Sequence, residues 1–265
     1  MTPKLSITIV NYNQKYFPRL CVEALKKSKA NFDFEIIICD NNSDDESLDY
    51  LKKAAKEGLI QLVRSWKNLG YGGGHNLAAK KAKGKYILIL NTDITVEQDT
   101  LQKLVDYLET HRDTGIVGPK LMYHNGEIQQ SCRRHFKFFD LFIKRSFLKN
   151  IWPFKKRYQK YIMADFTHKN TQVVDLITGA FMMMPKRIFD KIGGFDKRYF
   201  LFMEDFDLCR KVQNAGYKVV YYPEAVAVHY HKRLSEGSFF KLIFKKISWY
   251  HLASAIKYFW KWRHE

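Results

Sequence analysis

A layered α/β fold on a mostly parallel sheet is predicted by three features of this 265-residue chain. Short β-rich apolar runs alternate with helical segments over the first 120 residues, the rhythm that lays a sheet between helices. The apolar runs Leu5–Val10, Phe34–Cys39 and Tyr86–Leu90 end in Asn11-Tyr12-Asn13, Asp40-Asn41-Asn42-Ser43-Asp44-Asp45 and Asn91-Thr92-Asp93. Open α/β sheets bind ligands outside the carboxyl ends of their strands, where such clusters fall. The apolar share of 46% is ordinary for a chain that buries a core.

After the first strand, Leu20, Ala24 and Leu25 share one helix face. Residues 40–45 read as a turn and helix N-cap, with the helix continuing through Leu51–Glu57. Ile60–Val63 is a short third strand. Asn68-Leu69-Gly70-Tyr71-Gly72-Gly73-Gly74-His75-Asn76 reads as a glycine-rich loop opening a helix to about Lys83. It lacks the dinucleotide G-x-G-x-x-G pattern and follows the third strand rather than the first. Its glycines either admit a phosphate beside a helix N-terminus or form a tight turn. Tyr86–Leu90 is the fourth strand, Thr100–Glu109 a helix and Gly115–Met122 a strand. Residues 131–170 break the rhythm with basic and aromatic residues and no clear strand. Val173–Ile177 and Phe181–Met184 then flank Thr178-Gly179-Ala180, and Pro185–Ile192 is a short helix. Glu204–Ala215 is a helix stopping at Gly216, and Val219–Tyr222 and Ala225–His229 are the last strands.

The net charge of +18 is concentrated in two places. Residues 131–170 hold eleven Lys/Arg against two acids, and residues 232–265 hold eight against two. A local basic surface seeks an anionic partner, either nucleic acid or anionic lipid. Nucleic acid is the weaker fit, because Glu204, Asp205 and Asp207 would repel its phosphates. In the tail, Phe240, Ile243, Phe244 and Ile247 form one apolar stripe, and Leu252, Ile256 and Phe259 another. On one helix these would face opposite sides, which predicts a break near Ser248 and two short amphipathic helices. Such helices lie on an anionic membrane surface, or else pack on the domain or form a homodimer contact. Widely spaced Cys21, Cys39, Cys132 and Cys209 read as reduced thiols of a cytoplasmic protein. The start runs directly into a strand, with no signal peptide expected, and no apolar run approaches the roughly 20 residues of a membrane span.

Two acidic groups carry the chemistry. Asp93 ends the most apolar strand, where it is either a surface turn residue or a hard ligand for Mg²⁺ or Mn²⁺. Glu204-Asp205-x-Asp207 follows the bulky run Tyr199–Met203. It is either an acidic first helical turn matched to the helix dipole or the source of a general base. His229, with His231 as the alternative, ends a strand and suits a metal.

These segments in order resemble the family 2 glycosyltransferases of GT-A fold, in particular the bacterial rhamnosyltransferase-like branch. The markers run from Ser6-Ile7-Thr8-Ile9-Val10-Asn11-Tyr12-Asn13 and Asp40-Asn41-Asn42-Ser43 through the glycine stretch to Leu90-Asn91-Thr92-Asp93. They continue with Thr178-Gly179-Ala180, Gly193-Gly194-Phe195-Asp196, Phe202-Met203-Glu204-Asp205-Phe206-Asp207-Leu208-Cys209-Arg210 and Val228-His229. The resemblance implies inverting transfer of a sugar from dTDP-rhamnose or a UDP-hexose to a glycan or lipid-linked glycan in cell-surface polysaccharide synthesis. It implies that Thr8, Val10, Asn11, Asn13, Asp40 and Asn42 seat the base. Asn68, Gly72, Gly73, Asn76, Asn91 and Thr92 would line the rest of the nucleotide. Asp93, with His229 or His231, would hold the divalent metal. Asp205 would be the general base, with Thr178, Gly179, Glu204 and Asp207 positioning it or the acceptor. Asn91 departs from the family's DXD motif, which begins with an acid, so fewer charges would meet the metal. The implied organisation is a catalytic domain over 1–235 and a basic amphipathic tail over 236–265. Within the domain, 1–120 is the nucleotide half, 131–170 an insert over the acceptor side, and 171–235 the acceptor half. The protein would sit peripherally on the inner face of a bacterial cell membrane. The competing readings are a nucleic-acid-binding protein or an inactive membrane scaffold, and intact Asp93 and Asp205 argue against the scaffold.

Overall fold

The computed structural model describes residues 2–230 and 246–263. Four parallel strands form one half of the sheet: β1 (Leu5–Asn11), β2 (Phe34–Asp40), β3 (Gln61–Arg64) and β4 (Tyr86–Leu90). Every residue of β4 is buried, as expected of a central strand covered on both faces. The other half holds β5 (Ile94–Val96), β6 (Thr114–Tyr123), β10 (Phe181–Pro185) and β11 (Lys218–His229). Their order is β3-β2-β1-β4-β10-β6-β11-β5. Because β10 runs antiparallel to both β4 and β6, and β5 to β11, the sheet is mixed.

Alternate side chains of the strands feed two layers. Leu5, Ile7, Ile9, Leu88 and Leu90 pack against α1 (Phe17–Lys26), α2 (Ser47–Lys56) and α4 (Thr100–Thr110). Ile87 and Ile89 pack on the opposite face, which α7 (Lys186–Lys191) and α8 (Glu204–Asn214) cover. β1 lies between β2 and β4, the point from which successive strands diverge and where a crevice opens. Asn11 and Asp40 sit side by side at that mouth.

Several elements differ from expectation. The two last strands are one, β11, whose register on β6 shifts between Tyr222 and Val226, where Pro223 offers no N–H. The single strand expected at 173–177 divides into β8 (Gln172–Val173) on β11 and β9 (Leu176–Ile177) on β7 (Cys132–Arg133). The basic insert, read as holding no clear strand, carries β7 as well as two helices, α5 (Phe138–Arg145) and α6 (Phe154–Ile162). The glycine stretch is itself helix, α3 (Gly70–Ala79), rather than a loop before one.

The tail differs most. α9 (Lys246–Lys261) runs through Ser248 without a break. Phe240, Ile243 and Phe244 of the first stripe, and His231, lie outside the described residues. Leu252 and Ile256 of the second stripe point outward, 44% and 53% exposed, while Ala255 and Tyr258 are buried. Polar partners choose this rotation. Ser254 Oγ donates to the Leu201 carbonyl, and Lys261 Nζ reaches Asp207 at 2.6 Å.

Candidate active site

The turn Asn91-Thr92-Asp93 leaves β4 beside the Thr178-Gly179-Ala180 turn that leads into β10, because those strands pair antiparallel. The Asn91 N–H donates to the Ala180 carbonyl at 2.9 Å and ties the two turns together. From the far end of β11, His229 arrives at Asp93, and its Nε2 faces Asp93 Oδ1 at 3.2 Å. The other ring nitrogen, Nδ1, is 2.8 Å from Gln129 Oε1. Donation of the Nδ1 proton to Gln129 leaves the Nε2 lone pair aimed at the carboxylate. Two electron-pair donors so placed match neighbouring ligands of a six-coordinate ion, which stand about 3 Å apart when bonds are about 2.1 Å. The residues therefore fit a divalent cation. Among the described residues no group of three or more His, Cys, Asp or Glu converges on one point. Such an ion would take its remaining ligands from substrate oxygens and water.

Asp205 stands in the first turn of α8, after Phe202 and Met203, both with positive φ. One of its oxygens accepts the Gly179 N–H at 3.0 Å, and the other accepts the Phe206 N–H at 2.9 Å. Burial raises its carboxyl above the ordinary carboxylate value, and the Gly179 and Phe206 N–H bonds oppose that rise. Lys144, on the insert helix α5, also favours the ionised form. Glu204 is enclosed, and burial together with the charge of Asp205 pushes it well above its usual range. Among the described residues the buried Oε2 of Glu204 has no hydrogen-bond partner. A neutral Glu204 beside an ionised Asp205 is the arrangement these surroundings favour.

Tyr71 joins the two acidic motifs. Its hydroxyl donates to the Gly179 carbonyl at 2.6 Å. Gly179 is also the residue whose N–H binds Asp205, and burial, followed by the nearby acids of both motifs, pushes the Tyr71 hydroxyl well above its usual range. Residues 91–93 and 204–205, far apart in the chain, thus line a single crevice.

On the opposite wall, Asn11 Nδ2 donates to Asp40 Oδ1, Ser43 Oγ and Ser47 Oγ at 3.2, 3.0 and 2.8 Å. Asn11 Oδ1 is buried without a partner among the described residues. Asn42 is exposed in a positive-φ turn, and Asn13 accepts the Asp44 N–H. Asn41, to which the sequence assigned no role, is the hub of this wall. Its Nδ2 reaches Asn68 Oδ1 and the Gly70 carbonyl at 3.0 and 3.0 Å, and its Oδ1 takes the Leu69 N–H.

Other expected donor contacts are committed elsewhere. Thr8 is buried in the sheet with its hydroxyl on His75 and the Leu88 carbonyl. Asn76 grips the backbone of Phe195 through both its amide nitrogen and oxygen. A Cβ on Gly72 would stand 2.7 Å from Phe195 Cβ, and one on Gly74 2.8 Å from Val10, so these positions let α3 pack closely. Val10 meets that helix for the same reason. Gly73 lies half-buried on the same helix, and Thr92 is buried behind Asp93. Asp207, placed near the acceptor by resemblance, is wholly buried and bound to Lys261, Trp262 Nε1 and the Tyr199 hydroxyl. Gln129 and Lys144 carried no sequence signal, since each acts through a neighbour distant in the chain.

The profile of Glycosyl transferase family 2 matches residues 6–193. The chain belongs to that family. It is 29% identical to rhamnosyltransferase WbbL of Escherichia coli over 234 residues, covering 82% of this chain and 84% of that protein. It is 25% identical to the N-acetylglucosaminyl-diphospho-decaprenol L-rhamnosyltransferase of Mycobacterium tuberculosis over 218 residues, covering 76% and 68% respectively. The O-antigen chain rhamnosyltransferase RfbN of Salmonella typhimurium is 24% identical, covering 86% of this chain and 67% of that protein. Solved structures share the GT-A fold. The mannosyltransferase PcManGT of Pyrobaculum calidifontis, in complex with GDP-Man and Mn²⁺, matches with TM-score 0.62 at 16% identity, covering 89% of this chain and 59% of that one. S. aureus TarS 1–349 in complex with UDP-GlcNAc matches with TM-score 0.59 at 17% identity, covering 88% and 60%. This glycosyltransferase therefore spans about three fifths of those solved chains.

Proposed function

We propose that this glycosyltransferase moves a sugar, with inversion, from a nucleotide-diphosphate donor to a lipid-linked glycan at an anionic membrane surface. The donors to expect are dTDP-rhamnose or a UDP-hexose, and the named rhamnosyltransferase relatives favour the first. The observation that carries the reading is that the Thr178-Gly179-Ala180 turn ties Asp205 and Tyr71 to the Asn91-Thr92-Asp93 turn at the carboxyl end of β4. The mycobacterial relative's name supports a polyprenyl-diphosphate acceptor, and the basic segments suit a cytoplasmic, peripheral position on the inner membrane face. Among the described residues no helix is long and apolar enough to cross a membrane.

In this scheme Asp205, steadied by the Gly179 N–H, takes the proton of the acceptor hydroxyl. That oxygen attacks the anomeric carbon from the face opposite the diphosphate, and the bond from carbon to diphosphate oxygen breaks. Neutral Glu204 keeps a second charge away from the base. Asn11, Asn42 and Asp40 offer polar groups to the base and ribose, and Asn91 stands beside the ribose. Asp93 and His229 would hold Mg²⁺ or Mn²⁺, whose chemistry there is to neutralise the departing diphosphate.

Asp205→Asn should abolish transfer while donor binding, read by thermal shift against a panel of sugar nucleotides, is kept. Turnover retained by that variant removes Asp205 from the role of base. EDTA should suppress the wild-type rate, and full activity in metal-free buffer would release Asp93 and His229 from theirs.

A further inference from the structure

We infer that the outer face of α9 is a lipid-docking surface for an anionic bilayer, mounted directly on the loop that carries the catalytic base. The inner face fixes the mounting. Tyr250 packs on Phe200 and His251 on Phe202, with ring centroids 4.6 and 4.7 Å apart. Ser254 Oγ donates to the Leu201 carbonyl and Lys257 Nζ to the Arg198 carbonyl, each at 2.9 Å. Lys261 bridges Asp196 and Asp207 at 3.0 and 2.6 Å, and Trp262 Nε1 donates to Asp207 at 2.9 Å. From Tyr250 onward α9 therefore grips the 196–207 segment, whose Phe202 and Met203 hold φ near +70° immediately before Glu204 and Asp205.

With that face engaged, the opposite face shows Trp249, Leu252, Ile256 and Trp260, exposed by 61, 44, 53 and 67%. Their spacing of three or four residues sets them in one row along the helix. The row is about 16 Å long at 1.5 Å per residue, too short to span a bilayer and suited to lying in its interface. Trp at both ends is the side chain that settles at the headgroup level. The occupant is anionic lipid rather than another apolar surface because of charge. Residues 246–263 contain no Asp or Glu, and of their four Lys/Arg two, Lys257 and Lys261, are turned to the inner face. Arg263 lies over the Trp260 ring at 4.5 Å, at the rim of the row. The surface continues onto the insert, where half-exposed Phe138 meets Phe259 with centroids 5.4 Å apart. That insert, residues 131–170, carries nine net positive charges. One helix layer separates this face from the loop that carries Asp205.

The inference rests on the sugar-transfer reading for its purpose, but its test needs neither donor nor acceptor. The full chain should co-sediment with vesicles of phosphatidylglycerol and phosphatidylcholine and much less with phosphatidylcholine alone. Trp249→Ser/Ile256→Ser/Trp260→Ser should bind the anionic vesicles about tenfold or more weakly while keeping the wild-type circular dichroism and donor-induced thermal shift. Trp249→Phe/Trp260→Phe, which keeps the row apolar, should still sediment but lose most of the fluorescence quenching by brominated lipid. Wild-type protein that ignores anionic vesicles, or a triple-serine variant that binds them undiminished, overturns the inference. A wild-type dimer that the triple variant dissolves on size exclusion reassigns the face to a second copy. Loss of the donor-induced shift in the wild type would instead count against sugar transfer and leave the vesicle result standing.

Discussion

Asp205 is oriented by backbone N–H groups of Gly179 and Phe206 rather than by another side chain, so its direction survives changes in neighbouring residues. Among the described residues nothing hydrogen-bonds the inner oxygen of its neighbour Glu204, and burial raises that carboxyl well above the usual range. The consequence for pH has a definite sign. The folded chain holds a proton on Glu204 that the unfolded chain releases near its ordinary value of 4.5. Stability from this group is full below that value and is lost as pH rises through the higher folded one. Glu204→Gln should therefore raise the melting temperature at neutral pH and flatten its decline above pH ~5. A wild-type dependence that persists in the variant would place its source elsewhere. The 91–93 and 204–205 clusters were legible because each ends an apolar or bulky run. Thr8, Asn76 and Asp207 were not. The partners of Asn76 and Asp207 lie 119 and 54 residues away, and no local pattern reports such a pairing.

At the scale of the element, α9 shows how polar contacts override an apolar stripe. Its Leu252–Ile256 row looked like the buried face, yet Lys261, Trp262 and Ser254 turn the helix about its axis to reach Asp207 and the Leu201 carbonyl. Lys261→Met leaves the fully buried Asp207 carboxylate without its cation and should cost about 3–5 kcal/mol in urea unfolding. Adding Asp207→Asn should recover a large part of that loss. An additive double variant would show that the two groups do not act as a pair. The glycine segment makes a related point. A loop that admits a phosphate or makes a tight turn was expected there; Gly70 does take a positive φ, +74°, and lies so close that a Cβ would come within 2.0 Å of the Phe200 carbonyl oxygen. These glycines bring α3 against the 195–200 segment, so the Asn41–Asn68 wall and the loop before Asp205 share that contact.

Over the whole molecule, the site exists only when residues from four regions meet. Asp93, Gln129, Asp205 and His229 come together because β10 reverses between β4 and β6 and β11 returns along β6. A ligand that needs this assembly binds the folded chain alone and must stabilise it, by about 2.7 kcal/mol at one hundred times its dissociation constant. Mn²⁺ with a nucleoside diphosphate should therefore raise the wild-type melting temperature and raise that of His229→Ala far less. An equal shift in both would mean that the ion is held without His229. The sequence by itself determined the α/β class, the parallel half of the sheet and the polar turns, since periodicity and strand-end chemistry are local properties. It also carried the family, through motifs whose order survives at low identity. Only the tertiary structure decided that β11 is one strand, that Gln129 orients His229, that Asp207 anchors a helix and which face of that helix meets solvent. Each of those outcomes depends on which distant group supplies the hydrogen bond or charge, and burial makes an unmet partner too costly to leave.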